Sequence, residues 1–230
     1  MKIVVIGGSG HVASLVVPRL GVEHDVTVAD LKQAPWWDGK FVSLDVTDHA
    51  QLPALFDGVE ALIYMAMGPM EGWGSTAWSR QHFDVNVTGA YLAIQAAGHA
   101  GVRRIVHTSS GSVFSDWVNR DPGDSPDATD AYGLSKGCGE VIARAAATQF
   151  AIPVVALRLF LPKEDGEYLA MTGGDAGIAT AGSDVARAYL SALAADLPAG
   201  FHTVHISGNR DETIVVGSAR DLLGWEALVH

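Results

Sequence analysis

A tyrosine and a lysine stand four positions apart in the segment Tyr132-Gly133-Leu134-Ser135-Lys136. This segment has a helix-like composition, and residues four apart lie on one face of a helix, so the two side chains are neighbours. A phenol has an ordinary pKa near ~10, and it needs a nearby cation before it can exchange protons near neutral pH. The pair therefore predicts acid–base chemistry by Tyr132 with Lys136 as the cation; taken alone, the spacing also fits a surface pair.

Three serines follow the fifth apolar run of the chain: Ser109, Ser110 and Ser112. Ligands of open α/β sheets bind at the carboxyl ends of the strands, so a serine hydroxyl at this point could hold a substrate oxygen beside Tyr132. We predict Ser110 for this role because it leads into the turn at Gly111, which we also place against the substrate. The other two serines stay open as alternatives.

A glycine-rich turn, Gly7-Gly8-Ser9-Gly10, separates the first apolar run from a helix-like segment. Gly7 allows a tight turn, Gly10 lets the backbone approach a pyrophosphate, and Ala13 is small enough for close packing of helix on strand. The anion would rest on amide groups at the helix N-terminus, where His11 and Val12 lie. The turn predicts a dinucleotide site.

An acidic residue ends the second apolar run, in Val28-Ala29-Asp30. Asp30 would accept hydrogen bonds from an adenosine ribose and repel a 2′-phosphate, which favours NAD over NADP. A solvated strand-end carboxylate is the alternative, and Lys32 leaves room for a phosphate. Asp45 at the third strand could contact the adenine or cap a helix. The remaining predicted cofactor residues are Val46, Met65, Ala66 and Lys136, the last through the nicotinamide ribose.

Short apolar runs alternate with Ala- and Leu-rich segments, which predicts an α/β fold with a doubly wound parallel sheet of the Rossmann type. Strands are predicted at Lys2–Gly7, Asp25–Ala29, Phe41–Leu44, Ala61–Ala66, Arg104–Thr108, Val154–Leu159 and Phe201–Ile206. Helices are predicted at His11–Leu20, His49–Phe56, Trp78–Ala100, Ala131–Phe150, Ser183–Ala195 and Ser218–Leu223. Residues 1–160 form the predicted dinucleotide-binding domain, and residues 161–230 form a small substrate cap packed on the same sheet.

The composition excludes several classes of function. The 230 residues carry a formal net charge of −11, which argues against binding to nucleic acids or to anionic membranes. Cys138 is the only cysteine, and the nine histidines are scattered, so we expect no disulfide, no metal site and a cytoplasmic location.

Together these motifs resemble the short-chain dehydrogenase/reductase superfamily, and more closely its extended branch, the NAD-dependent epimerase/dehydratase family. Further stretches that carry the resemblance are Asn86-Val87-Thr88-Gly89-Ala90, Val106–Phe114, Leu157-Arg158-Leu159-Phe160, Asp184-Val185-Ala186-Arg187-Ala188 and Leu223-Gly224-Trp225. The resemblance implies that Tyr132 is the acid/base, that Lys136 lowers its pKa, and that Asn86 positions the catalytic helix or its water. Phe114 and Ser115 depart from the Tyr-Gly of the family, so the substrate end of the pocket is expected to differ.

The region after Phe160 is short for an enzyme of this family that binds nucleotide sugars. The chain is similar in this respect to the uronate dehydrogenases, and that likeness implies Arg158 as a clamp for a substrate carboxylate. An internal salt bridge is the alternative role for Arg158. Trp73 and Trp78, on the loop after the fourth strand, would either stack on the substrate or pack a lid.

The resulting expectation is an NAD-dependent oxidoreductase that moves hydride between nicotinamide and an alcohol or carbonyl carbon of a small sugar or sugar acid. An epimerase or dehydratase that retains its NAD is the first alternative, and a non-catalytic dinucleotide-sensing protein is the second. The resemblance also implies a homodimer built from the helices Trp78–Ala100 and Ala131–Phe150.

Overall fold

In the computed structural model, which describes residues 1–229, seven parallel strands form one sheet in the order β3-β2-β1-β4-β5-β6-β9. The strands are β1 (Lys2–Ile6), β2 (Asp25–Asp30), β3 (Lys40–Ser43), β4 (Ala61–Tyr64), β5 (Arg104–Ser110), β6 (Pro153–Leu159) and β9 (Gly200–Ile206). Strand order reverses between β1 and β4, and this reversal opens a crevice at the carboxyl edge of a doubly wound sheet. The predicted fold class is confirmed.

Helices cover both faces of this sheet and build two apolar cores. The helices are α1 (His11–Glu23), α2 (Leu52–Leu55), α3 (Thr76–Phe83), α4 (Ala90–His99), α5 (Ala131–Phe150), α6 (Asp165–Ala170), α7 (Gly174–Ile178), α8 (Gly182–Ala194) and α9 (Gly217–Leu223). Val5 and its neighbours face α1, α8 and α9, whereas Val4 and its neighbours face α2, α4 and α5. Successive residues of a strand point to opposite faces of the sheet. Strands in a sheet that has helices on both faces therefore need apolar residues at every position.

Two predicted helices differ from the observed ones. The segment His49–Phe56 contains a 3₁₀ turn at His49–Gln51 and only four α-helical residues after it. The long helix predicted at Trp78–Ala100 is divided by a π-helical turn, Asp84–Gly89, between α3 and α4. A π turn shifts the helix register by one residue, and such turns are frequent at functional sites.

The segment after residue 160 contributes to the main sheet as well as to the region above it. Strand β9 pairs with β6 along its whole length, and α8 packs in the same core as α1. The short strands β7 (Pro162–Lys163) and β8 (Thr180–Ala181) pair above the sheet, next to α6 and α7. The small substrate cap predicted at residues 161–230, packed on the same sheet, stays a prediction. Across residues 1–229, no helix is long and apolar enough to cross a membrane.

Candidate active site

A groove of about 1620 Å³ runs along the carboxyl edge of the sheet. It begins at the turn after β1 and passes the ends of β2, β3 and β4 before it reaches β5 and the start of α5. Of the residues predicted for the site, those that line the groove are Gly7, Gly10, His11, Val12, Ala13, Asp30, Asp45, Val46, Met65, Ala66, Trp73, Ser110, Gly111, Tyr132 and Lys136. Asn86 and Arg158 do not line it.

The turn after β1 has the geometry that a pyrophosphate site needs. Gly7 has a φ of +79°, and a Cβ at this position would lie 2.3 Å from the backbone nitrogen of Ala66. Gly10 is the N-cap of α1 and supplies no side chain to the first helical turn, so the amides there are free to face an anion. A Cβ at Gly8 would lie 2.9 Å from Cγ1 of Val28, so this unpredicted glycine also serves close packing.

Two acidic residues lie where the second and third strands end. The carboxylate of Asp30 accepts a hydrogen bond from the Ser9 amide at 2.9 Å and also lines the groove, so it braces the glycine turn beside the expected ribose position. The carboxylate of Asp45 accepts hydrogen bonds from the amide and hydroxyl of Thr47 at 2.9 and 2.6 Å. Asp45 therefore braces its own turn, whereas the N-cap of the following 3₁₀ turn is Asp48, whose carboxylate accepts from the Ala50 amide. Asp45 also lines the groove, and its contact with the adenine stays a prediction.

The predicted catalytic side chains converge where β5 meets α5. Asp130 is the N-cap of α5 and holds the amides of Tyr132 and Gly133 at 3.0 Å, which fixes the start of the helix. The Lys136 ammonium donates to the Thr108 carbonyl at 3.0 Å and lies 6.0 Å from the centre of the Tyr132 ring. The Ser110 hydroxyl accepts from the Ser112 amide at 3.1 Å and lies close enough to the phenol to act on its pKa.

Burial, rather than the lysine, dominates the titration of this cluster. Desolvation raises the pKa of the Tyr132 phenol, the hydrogen bond from Ser110 lowers it, and the Asp130 carboxylate raises it. The pKa of the phenol is thus raised by burial, and the predicted lowering by Lys136 does not dominate it; the ammonium itself donates to the Thr108 carbonyl. Desolvation lowers the pKa of Lys136 itself to about 8, with the Glu140 carboxylate acting against it.

Asn86 lies in the π-helical turn and joins two parts of the site. Its carbonyl oxygen accepts from the Gly68 amide at 3.2 Å, and its amide nitrogen donates to the Ser135 hydroxyl at 2.9 Å. The residue is 2% exposed, and these contacts tie the loop after β4 to α5 between Tyr132 and Lys136. This placement fits the positioning role that the family resemblance implied.

Arg158 is not available to a substrate, which corrects its prediction as a carboxylate clamp. The guanidinium is 1% exposed and binds the Glu140 carboxylate through Nε at 2.8 Å and Nη2 at 2.7 Å. The same carboxylate accepts from the Ser109 hydroxyl at 2.6 Å, so this hydroxyl is already hydrogen-bonded inside the protein. Ser109 and Ser112 both line the groove and stay alternatives to Ser110. Sequence alone does not show that Glu140, one helical turn after Lys136, faces this arginine.

An aromatic cluster adjoins the phenol. The Trp73 ring lies 5.6 Å from the Tyr132 ring and 4.4 Å from that of Trp78, and it is 56% exposed. Trp78 and His82 are buried behind it, and burial lowers the pKa of His82. His82 was not predicted; its position one helical turn after Trp78 was the available signal.

The glycine turn, the strand-end acid and the hydroxyl–phenol–ammonium cluster define an NAD-binding enzyme of the short-chain dehydrogenase/reductase type. The profile of the NAD dependent epimerase/dehydratase family matches residues 3–163, and the chain belongs to this family. NAD is its cofactor, and the open amides of α1 and the Asp30 carboxylate fit that group.

Individual relatives are more distant. The chain is 28% identical over 173 residues to L-arabinose 1-dehydrogenase (NAD(P)(+)) of Haloferax volcanii, covering 69% of this chain and 66% of that protein. It is 30% identical over 164 residues to UDP-glucose 4-epimerase of Neisseria meningitidis serogroup C, covering 61% of this chain and 47% of that protein. The chain thus spans about half to two thirds of these relatives. A structure of a mutated uronate dehydrogenase superposes with a TM-score of 0.81 at 23% identity, covering 99% of this chain and 81% of that one, and shows a common fold.

Proposed function

We propose that the protein transfers a hydride between NAD and an alcohol or carbonyl carbon of a small sugar-like substrate, with Tyr132 as the acid/base. The observation that carries the proposal is the convergence of Tyr132, Ser110 and Lys136 at the end of a groove that begins at a pyrophosphate turn. A pure dinucleotide-binding protein has no need of a phenol at this point. Similarity to a sugar dehydrogenase supports the substrate class.

Each side chain then has a distinct task. When bound, NAD accepts or returns the hydride, and the protein supplies orientation and proton transfer. The Ser110 hydroxyl holds the substrate oxygen, and the Tyr132 phenolate removes its proton on oxidation and returns it on reduction. The Lys136 ammonium, 6.0 Å from the centre of the Tyr132 ring, is the cation assigned to favour that phenolate against the burial that raises the phenol pKa.

The direct test is NADH formation by the purified full chain in a screen of aldoses, uronates and simple alcohols at several pH values. Tyr132→Phe should lower kcat by about 10²–10⁴-fold, the usual contribution of a positioned acid/base. Its affinity for NAD should stay unchanged in calorimetry, because the phenol oxygen is all that the substitution removes. Tyr91→Phe on α4, outside the groove, is the matched control. Full activity in Tyr132→Phe would end the acid/base assignment.

An epimerase or dehydratase that retains its NAD is the second candidate, favoured by the similarity to UDP-glucose 4-epimerase. It predicts that NAD copurifies with the protein and that no substrate gives net NADH.

A homodimer through α4 and α5 also stays part of the proposal. Tyr91 and Val141 on these helices are 51% and 65% exposed, and light scattering of the purified protein tests this association.

A further inference from the structure

Cations are scarce where the substrate must lie. Among the described residues that line the groove, the only lysines are Lys32, Lys136 and Lys163, and there is no arginine. Lys32 follows Asp30 at the adenosine end, and Lys136 belongs to the acid–base cluster. The Lys163 ammonium binds the Glu167 carboxylate at 2.7 Å, on a strand whose Pro162 carbonyl contacts His11 at the pyrophosphate turn. Within residues 1–229, no unpaired lysine or arginine therefore lines the space beyond Tyr132.

The two arginines that pack on Phe114, a residue of the groove lining, are already engaged. Arg158 is held by Glu140 inside the protein, and Arg120 binds Asp127 at 2.9 Å. Both guanidinium groups also stack on the Phe114 ring, at 4.6 and 4.4 Å from its centre, and only the ring lines the groove. The aromatic residue thus presents an apolar surface and keeps both charges behind it.

The remaining walls combine apolar side chains with the neutral hydroxyl residues Ser112, Ser115 and Thr129 and with two carboxylates. On one side Trp73 lies against Tyr132; on the other, Phe160 packs on Gly111, where a Cβ would lie 2.3 Å from the Phe160 ring. Ile178 and Trp117 complete the second wall. The carboxylates in this part are Asp130, at the first turn of α5, and Asp175, at that of α7. An anionic group here would lose water and meet no counter-ion, which is unfavourable.

We propose that the substrate is an uncharged secondary alcohol or lactol, or its oxidised form, with an apolar face beside the reacting carbon. The inference rests on the proposed hydride transfer and makes its substrate class specific. Trp73 and Phe160 would contact that face, which is either the C–H face of a neutral sugar ring or an aryl or alicyclic group. Uronates and nucleotide sugars are disfavoured by the same walls.

The test compares substrates that differ by one carboxylate, using the full chain with NAD⁺. The pairs are galactose with galacturonate, and 1-phenylethanol with mandelate; UDP-glucose is assayed alongside. We expect kcat/KM to be at least about tenfold higher for the neutral member of the reactive pair, since one unpaired buried charge costs more than the ~1.4 kcal/mol that a factor of ten represents. Activity with the galactose pair would indicate that the walls contact the C–H face of a sugar ring. Activity with the 1-phenylethanol pair would indicate that they contact an aryl group.

Substitution of Trp73, which forms one wall of the groove, gives a second test through KM and kcat. Trp73→Ala should raise KM for the neutral substrate about tenfold with little change in kcat. Val22→Ala, on the exposed face of α1 and outside the groove, should change neither. Calorimetry of the Tyr132→Phe protein with NADH measures ligand binding without turnover. Acetophenone, the neutral compound, should bind more tightly than phenylglyoxylate, which carries a carboxylate.

Acidic substrates that react as well as their neutral partners, or better, would overturn this inference and leave hydride transfer standing. A lack of NADH formation with every compound would instead contradict the proposed function. Neutral binding in calorimetry would still support the inference in that case, and a preference for the acid would still refute it.

Discussion

Glu140 and Arg158 form a buried ion pair whose disruption should strongly destabilise the fold. The carboxylate receives three hydrogen bonds, two from Arg158 and one from Ser109, and both charged side chains are at most 3% exposed. Because Ser109 is on β5 and Arg158 on β6, the carboxylate joins α5 to two strands. Glu140→Leu removes this charge and leaves the guanidinium inside the protein without a counter-ion.

The expected loss follows from the contacts that remain. After the substitution, Arg158 keeps two carbonyl acceptors, those of Pro122 at 3.2 Å and Asp124 at 3.4 Å, and the ring of Phe114. Breaking a buried pair by removing one partner costs about 3–5 kcal/mol. Domains are stable by only about 5–15 kcal/mol, so the variant should lose about a fifth or more of its free energy of unfolding.

Urea denaturation followed by both circular dichroism and tryptophan fluorescence measures this loss. Coincident transitions would justify a two-state treatment. The double variant Glu140→Leu/Arg158→Met should recover most of the stability, because buried pairs are often replaced by apolar residues without loss. Arg80→Ala, which breaks an exposed pair with Asp84, should cost less than about 1 kcal/mol. A small loss in Glu140→Leu, or a double variant as unstable as the single one, would refute the reasoning.

Three further predictions concern other parts of the molecule. Gly7→Ala should prevent correct folding or lower thermal stability sharply, because the added Cβ would meet the Ala66 backbone. At Gly10 the nearest atom to an added Cβ is 3.6 Å away, so Gly10→Ala should keep the melting temperature but bind NAD more weakly in calorimetry. Burial lowers the pKa of Lys136 to about 8, so between pH 8 and 10 the unfolded chain binds more protons than the folded chain. The free energy of unfolding of the native protein should therefore rise in this range by up to about 1.4 kcal/mol per pH unit. This contribution should vanish in Lys136→Met. Burial likewise lowers the pKa of His107 to about 3, so stability should fall as the pH drops from 6.5 towards 3, less steeply in His107→Gln, as acid titration of the unfolding transition would show.

The architecture was predictable because its signals are local. Strands covered on both faces must be apolar throughout, so the core strands could be placed within a few residues. Helix α5 begins and ends where predicted, and Asp130 at its N-cap and Ala151, in a left-handed conformation with φ 52°, explain both limits. The π-helical turn at 84–89 was missed because no residue type or spacing in its sequence marks a π turn.

The sequence predicted which residues line the site, but it did not predict their ion pairs or pKa shifts. The residues of the glycine turn and of the Tyr132 cluster do line one groove, since their motifs lie at strand ends that share an edge of the sheet. The position of Arg158 in an apolar strand suited either of two roles, and only the three-dimensional structure shows its partner, eighteen residues away. The same is true of Tyr132, whose pKa depends on burial by elements distant in sequence.

One face of α5 connects the chemistry to the stability of the fold. Tyr132, Lys136 and Glu140 are spaced four residues apart, so they form a row that runs from the groove into the core. The phenol is at the groove, the ammonium contacts the strand below it, and the carboxylate neutralises Arg158. Because that arginine is used to stabilise the core, it cannot also bind a substrate anion. The row therefore accounts both for the anchoring of the catalytic helix and for the lack of a free guanidinium in the groove lining of residues 1–229.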